Sequence, residues 1–352
     1  MAVNLAACVT AFLISFITLP LIIKYFLDKR LVDIPGRRKI HKKITPSMGG
    51  ISIFIGFLTA SFIWLDFIQI QYIRLVLASL FIVFLIGVRD DIVPFRALNK
   101  LFGQIVAILI LLFSPIYIHS LYGFAGINEI PIVVGQLITL FVIIIITNSF
   151  NLIDGLDGLA GSIGVVALLA FGAWFFLAEE YIFSLLCFVM IGGILAFLIF
   201  NWEPSEIFMG DTGAMVIGML LSILIIRFMN CNYALPDNNP IKFTATIASA
   251  ACFIIVPLCD TLRIIILRIS KGQSPFKPDK SHIHHAIMRL GVTHSTTSII
   301  LATINALFIF GAYVFRRYSE KYVLVGVVLF AFISIFLLDR LIINRLSTKK
   351  QH

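Results

Sequence analysis

Long apolar stretches and short polar ones alternate along the whole chain. The apolar runs fall at roughly 2–27, 48–66, 71–88, 101–118, 131–148, 160–178, 181–200, 213–229, 244–267, 297–315 and 321–344. A helix of about 17–25 apolar residues crosses a bilayer. The pattern predicts an all-α polytopic membrane protein with about 11 transmembrane helices in one domain, 1–352. Residues 2–27 have neither a basic start nor an obvious small-residue cleavage site, and they read as an uncleaved first helix.

The polar connections carry unequal charge. The loop after the first run holds Lys29, Arg30, Arg37, Arg38, Lys39, Lys42 and Lys43, and those after the third and ninth are also basic. The opposite loops near 67–70, 119–130 and 179–180 contain no Lys or Arg. Only Lys242 and the Arg316, Arg317, Lys321 group dissent. The positive-inside rule then puts the odd-numbered loops and the C-terminus in the cytoplasm and the N-terminus outside. The formal charge of +9 follows from these loops and gives no reason to invoke nucleic acid. Apolar residues make up 60% of the chain and charged ones 13%, which fits a chain buried in lipid. The five cysteines show no CxxC spacing and read as small buried hydrophobes.

Four polar clusters break the pattern at alternate ends of the runs, hence on one membrane face. They are Asp90-Asp91, the stretch 148–157 (NSFNLIDGLD), the stretch 208–211 (FMGD) and the stretch 282–285 (HIHH). Paired acids at a membrane boundary are costly unless paired or functional, although Asp90 and Asp91 also suit a solvated loop beside Arg89. Lys100 opens the next run and suits a phosphate contact. Asn148, Asn151, Asp154 and Asp157 recur every third residue, which on a helix would make one polar stripe, although the Asn, Asp and Gly content also suits a helix-end turn. Asp211 suits either a divalent cation or a cap on the following helix. Hard oxygen donors of this kind favour Mg²⁺ bridging to substrate phosphates. His282, His284 and His285 sit in a basic loop and suit phosphate contact or proton transfer, without zinc spacing. His41 and His294 read as exposed loop residues, and His119 falls on the outer side. A P-loop and a G-x-S-x-G elbow are both absent from the sequence.

At these residues the chain resembles the polyprenyl-phosphate N-acetylhexosamine-1-phosphate transferases, and within them the WecA/TagO-like bacterial branch. The resemblance rests on DD at 90–91, NSFNLIDGLDGLAGS at 148–162, NWEPSEIFMGDTG at 201–213 and PDKSHIHH at 278–285. The stretch 33–50 also resembles the family's first cytoplasmic loop. The resemblance implies transfer of an N-acetylhexosamine 1-phosphate, most readily GlcNAc-1-phosphate, from a UDP-sugar to undecaprenyl phosphate, with release of UMP. It implies Mg²⁺ or Mn²⁺, a bacterial cytoplasmic membrane, and a fold that permits a homodimer. The site would be built from loops 28–47, 89–100, 148–160, 201–213 and 268–296.

By the same resemblance Asp211 holds the metal, joined by Asn151, and Asp90 and Asp91 are the paired catalytic acids. Lys100 lies near the phosphates, and Asn148, Asp154 and Asp157 line the nucleotide-sugar site. Asn201 and Phe208 match positions that contact uracil, and Lys280, His282, His284 and His285 match a sugar or diphosphate recognition element. Lys280 stands where this branch commonly has arginine, which keeps the charge but loses the bidentate fork. The phospho-MurNAc-pentapeptide transferase of the same superfamily and a membrane transporter are the alternatives. One-step attack and a two-step route through an aspartyl phosphate both remain open.

Overall fold

The computed structural model describes residues 1–29, 45–66, 72–270, 272–273 and 282–348. Thirteen α-helices are present among them, with one isolated bridge between Ser120 and Glu129 and no named strand. The helices are α1 (Ala2–Asp28), α2 (Gly49–Trp64), α3 (Ile73–Ile92), α4 (Ala97–Leu111), α5 (Ile132–Ile153), α6 (Leu159–Leu177) and α7 (Tyr181–Asn201). They continue with α8 (Gly210–Ala234), α9 (Thr246–Cys252), α10 (Ile255–Ser270), α11 (Ile283–Met288), α12 (His294–Val314) and α13 (Glu320–Thr348). Six of the described helices are long and apolar enough to cross a membrane, or seven when the bent pair α9–α10 counts as one. The chain is a multi-pass membrane protein.

Helix α8 forms the centre and is buried nearly all round, packed against α2, α3 and α5. Helix α1 covers α2 and α7 with one face. Its other face leaves Leu5, Leu13, Ile17 and Leu21 exposed, as expected of a lipid-facing helix. Lipid tails are as apolar as the packed side chains, so close fit and internal hydrogen bonds hold such helices together. Ser15 and Ser52 each donate to the other's carbonyl, at 3.0 and 2.7 Å, and join α1 to α2. Asn4 donates to the Ser184 hydroxyl at 2.7 Å and joins α1 to α7.

Helices also approach closely around the start of α8. A Cβ on Gly50 would lie 2.0 Å from the Gly213 nitrogen, and one on Gly87 would lie 2.5 Å from the Thr212 Cα. Both glycines let α2 and α3 lie with their backbones against the first turn of α8. The short stretch before α2 pairs with the segment before α8: Phe208 N–H donates to Pro46 O, and Gly49 and Gly50 donate to Phe208 O and Met209 O.

Two apolar runs differ from the helices they predict. The run 244–267 is not one helix but two, α9 and α10, bent by 90° across Phe253-Ile254. Asn305 of α12 satisfies the backbone freed by the break. Its amide donates to Phe253 O at 2.9 Å and its oxygen accepts from Val256 N–H at 3.3 Å. Pro257 sits in the first turn of α10, where a missing N–H costs little. The run 101–118 is helical only to Leu111. Pro115 disfavours helical geometry at Ser114, and Ile118 N–H donates instead to Thr139 Oγ1 at 2.8 Å.

The dissenting basic residues are tied down locally. Lys242 pairs with Asp237 at 2.8 Å, and Arg317 donates to the carbonyls of Asp237 and Asn239. Arg316 donates to Pro240 O and lies over the Tyr313 ring. Their positive charge therefore clamps the segment between α8 and α9 to the turn between α12 and α13.

Replacing Gly50 by alanine should push α2 off α8. The expected loss is about 1–3 kcal/mol of stability, the usual cost of overpacking. A lower thermal-unfolding midpoint in detergent measures it, and an unchanged midpoint rejects the close approach as a constraint.

Candidate active site

The polar clusters meet at one end of the bundle. Asp91, in the last turn of α3, faces the first turn of α8. Its Oδ1 accepts from Asp211 N–H at 2.8 Å, and its Oδ2 accepts from Thr212 N–H at 2.9 Å and the Thr212 hydroxyl at 2.6 Å. These N–H groups have no partner within their own helix, and the helix dipole favours an anion there. Asp211 thus does not cap its own helix; Asp91 caps it from α3. Gly210 makes room, with φ +72°, and a Cβ there would fall 2.6 Å from Asp91 Oδ2. Asp91 consequently spends its carboxylate on holding Asp211 in place.

Asp90 points to the other side. Its Oδ1 accepts from Phe95 N–H at 2.5 Å, which closes the α3–α4 turn. Lys100, in the first turn of α4, bridges two acids. Its Nζ lies 3.2 Å from Asp90 Oδ2 and 2.5 Å from Asp211 Oδ2. Asp211 keeps 30% of its side chain accessible, against 9% for Asp90, so Asp211 is the acid an incoming group meets. One turn further along α4, Gln104 is 2% exposed and pairs with Asn148 of α5 at 3.0 Å. Gln104 was not among the sequence candidates, because a lone amide in an apolar run resembles any satisfied core amide.

Asn148 and Asn151 lie on α5, but the helix ends at Ile153. Asp154 and Asp157 therefore belong to a turn, not to the continuous helical stripe that the three-residue spacing suggests. The turn is fixed by Gly158 at φ +74° and by Asn201, which accepts from Gly158 N–H at 2.8 Å. Asn201 also donates to Ile207 O at 2.8 Å and is 5% exposed. Its amide is thus committed to joining the 154–158 turn to the segment before α8. Phe208 lies in that same segment, half-buried, with its main chain paired to Pro46 and Gly49. Asn151 makes no side-chain hydrogen bond among the described residues.

Burial, with the negative charges of Asp211, Asp91 and Asp157, pushes the Asp154 carboxyl up to about 8. The side chain still reaches the surface in part, so the acid-rich surroundings matter alongside desolvation. Four acids, Asp90, Asp91, Asp154 and Asp211, share this end of the bundle with the Lys100 ammonium. Such a set of hard oxygens suits a further cation. Among the described residues no three His, Cys, Asp or Glu side chains form a complete metal cage.

The histidines lie against the turn that follows α5. His282 precedes α11, and His284 and His285 lie on it. His284 Nε2 would be 2.8 Å from a Cβ on Gly155, so the ring lies against the turn that bears Asp154. Burial, then the neighbouring His285, pulls the His284 imidazole down to about 3, and it stays neutral at physiological pH. His294 is not an exposed loop residue, as its isolation in the sequence suggests. It is 7% exposed, with Nδ1 at 3.5 Å from Asp157 Oδ2. Ser298 donates to Asp157 O at 2.8 Å, and Glu203 accepts from Ser295 N–H at 2.9 Å. Helix α12 is thereby fastened to both neighbouring loops. Lys280 and most of the loop 28–47 lie outside the described residues.

The model of glycosyl transferase family 4 matches residues 73–229. An undecaprenyl-phosphate alpha-N-acetylglucosaminyl 1-phosphate transferase of Yersinia pestis is 32% identical over 282 residues, 78% of this chain and 74% of that protein. A probable undecaprenyl-phosphate N-acetylglucosaminyl 1-phosphate transferase of Bacillus subtilis (strain 168) is 31% identical, over 88% of this chain and 85% of its own. The Escherichia coli (strain K12) protein with the same name as the Yersinia one is 31% identical over 298 residues. The chain belongs to glycosyl transferase family 4. The match to the family 4 model runs from the start of α3 into α8 and contains Asp90, Asp91, Lys100, the 154–158 turn and Asp211. The histidine helix α11 lies beyond it.

Two outcomes follow for this end of the bundle. Asp91→Ala leaves the buried donors of α8 without an acceptor, at about 1–3 kcal/mol for an unsatisfied group. Its thermal midpoint in detergent should fall well below that of Asp90→Ala; equal midpoints would contradict the cap. The raised Asp154 carboxyl holds its proton in the folded state to higher pH than in the unfolded chain. Its contribution is therefore fully present below the usual carboxylate range and is lost as pH rises towards about 8. Asp154→Asn should flatten that part of the stability–pH curve of the substrate-free protein, as followed by thermal melts between pH 4 and 8.

Proposed function

We propose that the chain transfers GlcNAc-1-phosphate from UDP-GlcNAc to undecaprenyl phosphate, releasing UMP, at the cytoplasmic face of a bacterial inner membrane. The observation that carries this reading is the Asp90–Lys100–Asp211 cluster at the helix ends of a chain similar to relatives named for that reaction. The relatives' names favour GlcNAc over the MurNAc-pentapeptide donor.

Although six or seven of the described helices are long and apolar enough to cross by themselves, this reading includes eleven spans with the N-terminus outside. Counting α9–α10 as one broken span and leaving out the six-residue α11 gives that number. The site is then on the side of the basic loops, where the nucleotide sugar is. The acceptor's tail stays in lipid while its phosphate reaches the helix ends.

In the reaction, an oxygen of the lipid phosphate attacks the β-phosphorus of the UDP-sugar. The bond from that phosphorus to the bridging oxygen breaks, and UMP leaves with the electron pair. The lipid phosphate is largely a dianion at pH 7, its second pKa being about 6, so direct attack needs no strong base. Phosphoryl transfer needs chiefly alignment and neutralised charge. Lys100 brings positive charge to the diphosphate by exchanging a carboxylate partner for a phosphate oxygen. Asp90, fixed by Phe95 N–H and Lys100, orients the acceptor phosphate and takes up any residual proton. Asp91 keeps Asp211 at the start of α8. Asp211, with the Asn151 amide, would hold Mg²⁺ or Mn²⁺, which would supply positive charge to the diphosphate when bound.

The test is UMP release by purified protein with undecaprenyl phosphate and a panel of UDP-sugars, with and without chelator. UMP release and lipid labelling from UDP-GlcNAc, lost with chelator and restored by Mg²⁺, are expected. Lipid labelling from the MurNAc-peptide donor alone would overturn the donor assignment. Asp211→Ala should nearly abolish turnover in a protein that still folds. Asp90→Asn should slow it only modestly if the dianion attacks directly.

A further inference from the structure

Helix α10 runs on from the 90° break and meets the residues that open the short histidine helix. Asp260 lies on α10, in the apolar run VPLCDTLRIII, and is 2% exposed. A buried carboxylate needs partners for both oxygens. Its Oδ2 lies 2.8 Å from His282 Nδ1, and its Oδ1 accepts from Ile283 N–H at 2.7 Å. Ile283 is the first residue of α11, so one carboxylate holds both the start of the helix and the ring just before it.

We infer that Asp260 is the positioning residue of the histidine helix, clamping the His282 ring and the α11 start to present the histidines to the donor nucleotide sugar. This deepens the function proposed above and rests on it. A carboxylate only accepts, so His282 carries a hydrogen on Nδ1 and leaves Nε2 as the ring's second polar atom. Through the same clamp His284 is seated against Gly155, beside Asp154. The rings of His282 and His284 lie parallel, 5.4 Å apart, so a shift of one displaces the other. Partners that orient a functional imidazole commonly change affinity or activity about 10–100-fold when removed.

Asp260→Asn separates this role from mere support. The amide oxygen still accepts from Ile283 N–H, while the amide N–H₂ donates to Nδ1 and forces the hydrogen onto Nε2. Fold and hydrogen-bond number are kept; the tautomer is reversed. The KM for UDP-GlcNAc should rise about ten-fold or more, with the KM for undecaprenyl phosphate within about two-fold of wild type. Asp260→Asn combined with His282→Ala should be no worse than His282→Ala alone, because coupled residues do not add. A scaffold role would lower the active fraction and leave both KM values unchanged, and that result overturns the inference. Wild-type KM in Asp260→Asn overturns it too. Loss of thermal stability does not obscure the outcome, since KM is independent of how much enzyme survives. ¹⁵N-histidine NMR, with His282 assigned through His282→Asn, should show hydrogen on Nδ1 in the wild type and on Nε2 in Asp260→Asn. That readout needs no turnover: if the wild type releases no UMP, the proposed function fails while the clamp is still judged by the tautomer, and an unreversed tautomer sinks the clamp.

Discussion

The first turn of α8 has backbone N–H groups that no residue of its own helix satisfies, and Asp91 of α3 supplies the anion they require. The rest of the site depends on this contact. It needs Gly210 in a left-handed conformation, Gly50 and Gly87 without side chains, and the main-chain pairing of 46–50 with 208–209. With these in place Asp211 sits beside Lys100, and Lys100 beside Asp90. The two neighbouring aspartates therefore divide the work. One is consumed by architecture, while the other keeps a lysine close to the chemistry.

The same division recurs among the other polar residues. Asn201 and Asp157 are buried and tie loops together, whereas Asn151 and Asp211 keep accessible polar atoms. Side chains that are spent on shaping the site and side chains that stay accessible thus alternate along the same short motifs. Phosphoryl transfer rewards such an arrangement, because small displacements of the charged groups weaken alignment of both phosphates at once.

Much of this was legible in the sequence. The apolar periodicity marks the membrane helices, and the alternate-end rule brings Asp90, Asp154, Asp211 and the HIHH run to one end, where the contacts now join them. The break at Phe253-Ile254 was not legible, because apolar residues continue through it and the compensating Asn305 lies 49 residues away from Val256. The Asp154–Asp157 turn read as helix because a spacing of three fits a helix as well as it fits Asn-Asp-Gly turns. The buried place of His294 and the role of Asp260 were hidden for a shared reason. Each is a lone polar residue, and its partner is set by tertiary packing: Asp157 for one, His282 for the other.

The fastening of α12 to the loops of earlier helices bears on biogenesis. His294 meets Asp157, and Ser295 meets Glu203, so residues made later complete walls begun 92 or more positions before. A nascent chain halted after α8 would hold the acids and the lysine but lack the wall that α11 and α12 provide. Until that wall arrives, the cluster of carboxylates stays incompletely enclosed, so the site is finished only when the later helices pack onto the earlier ones.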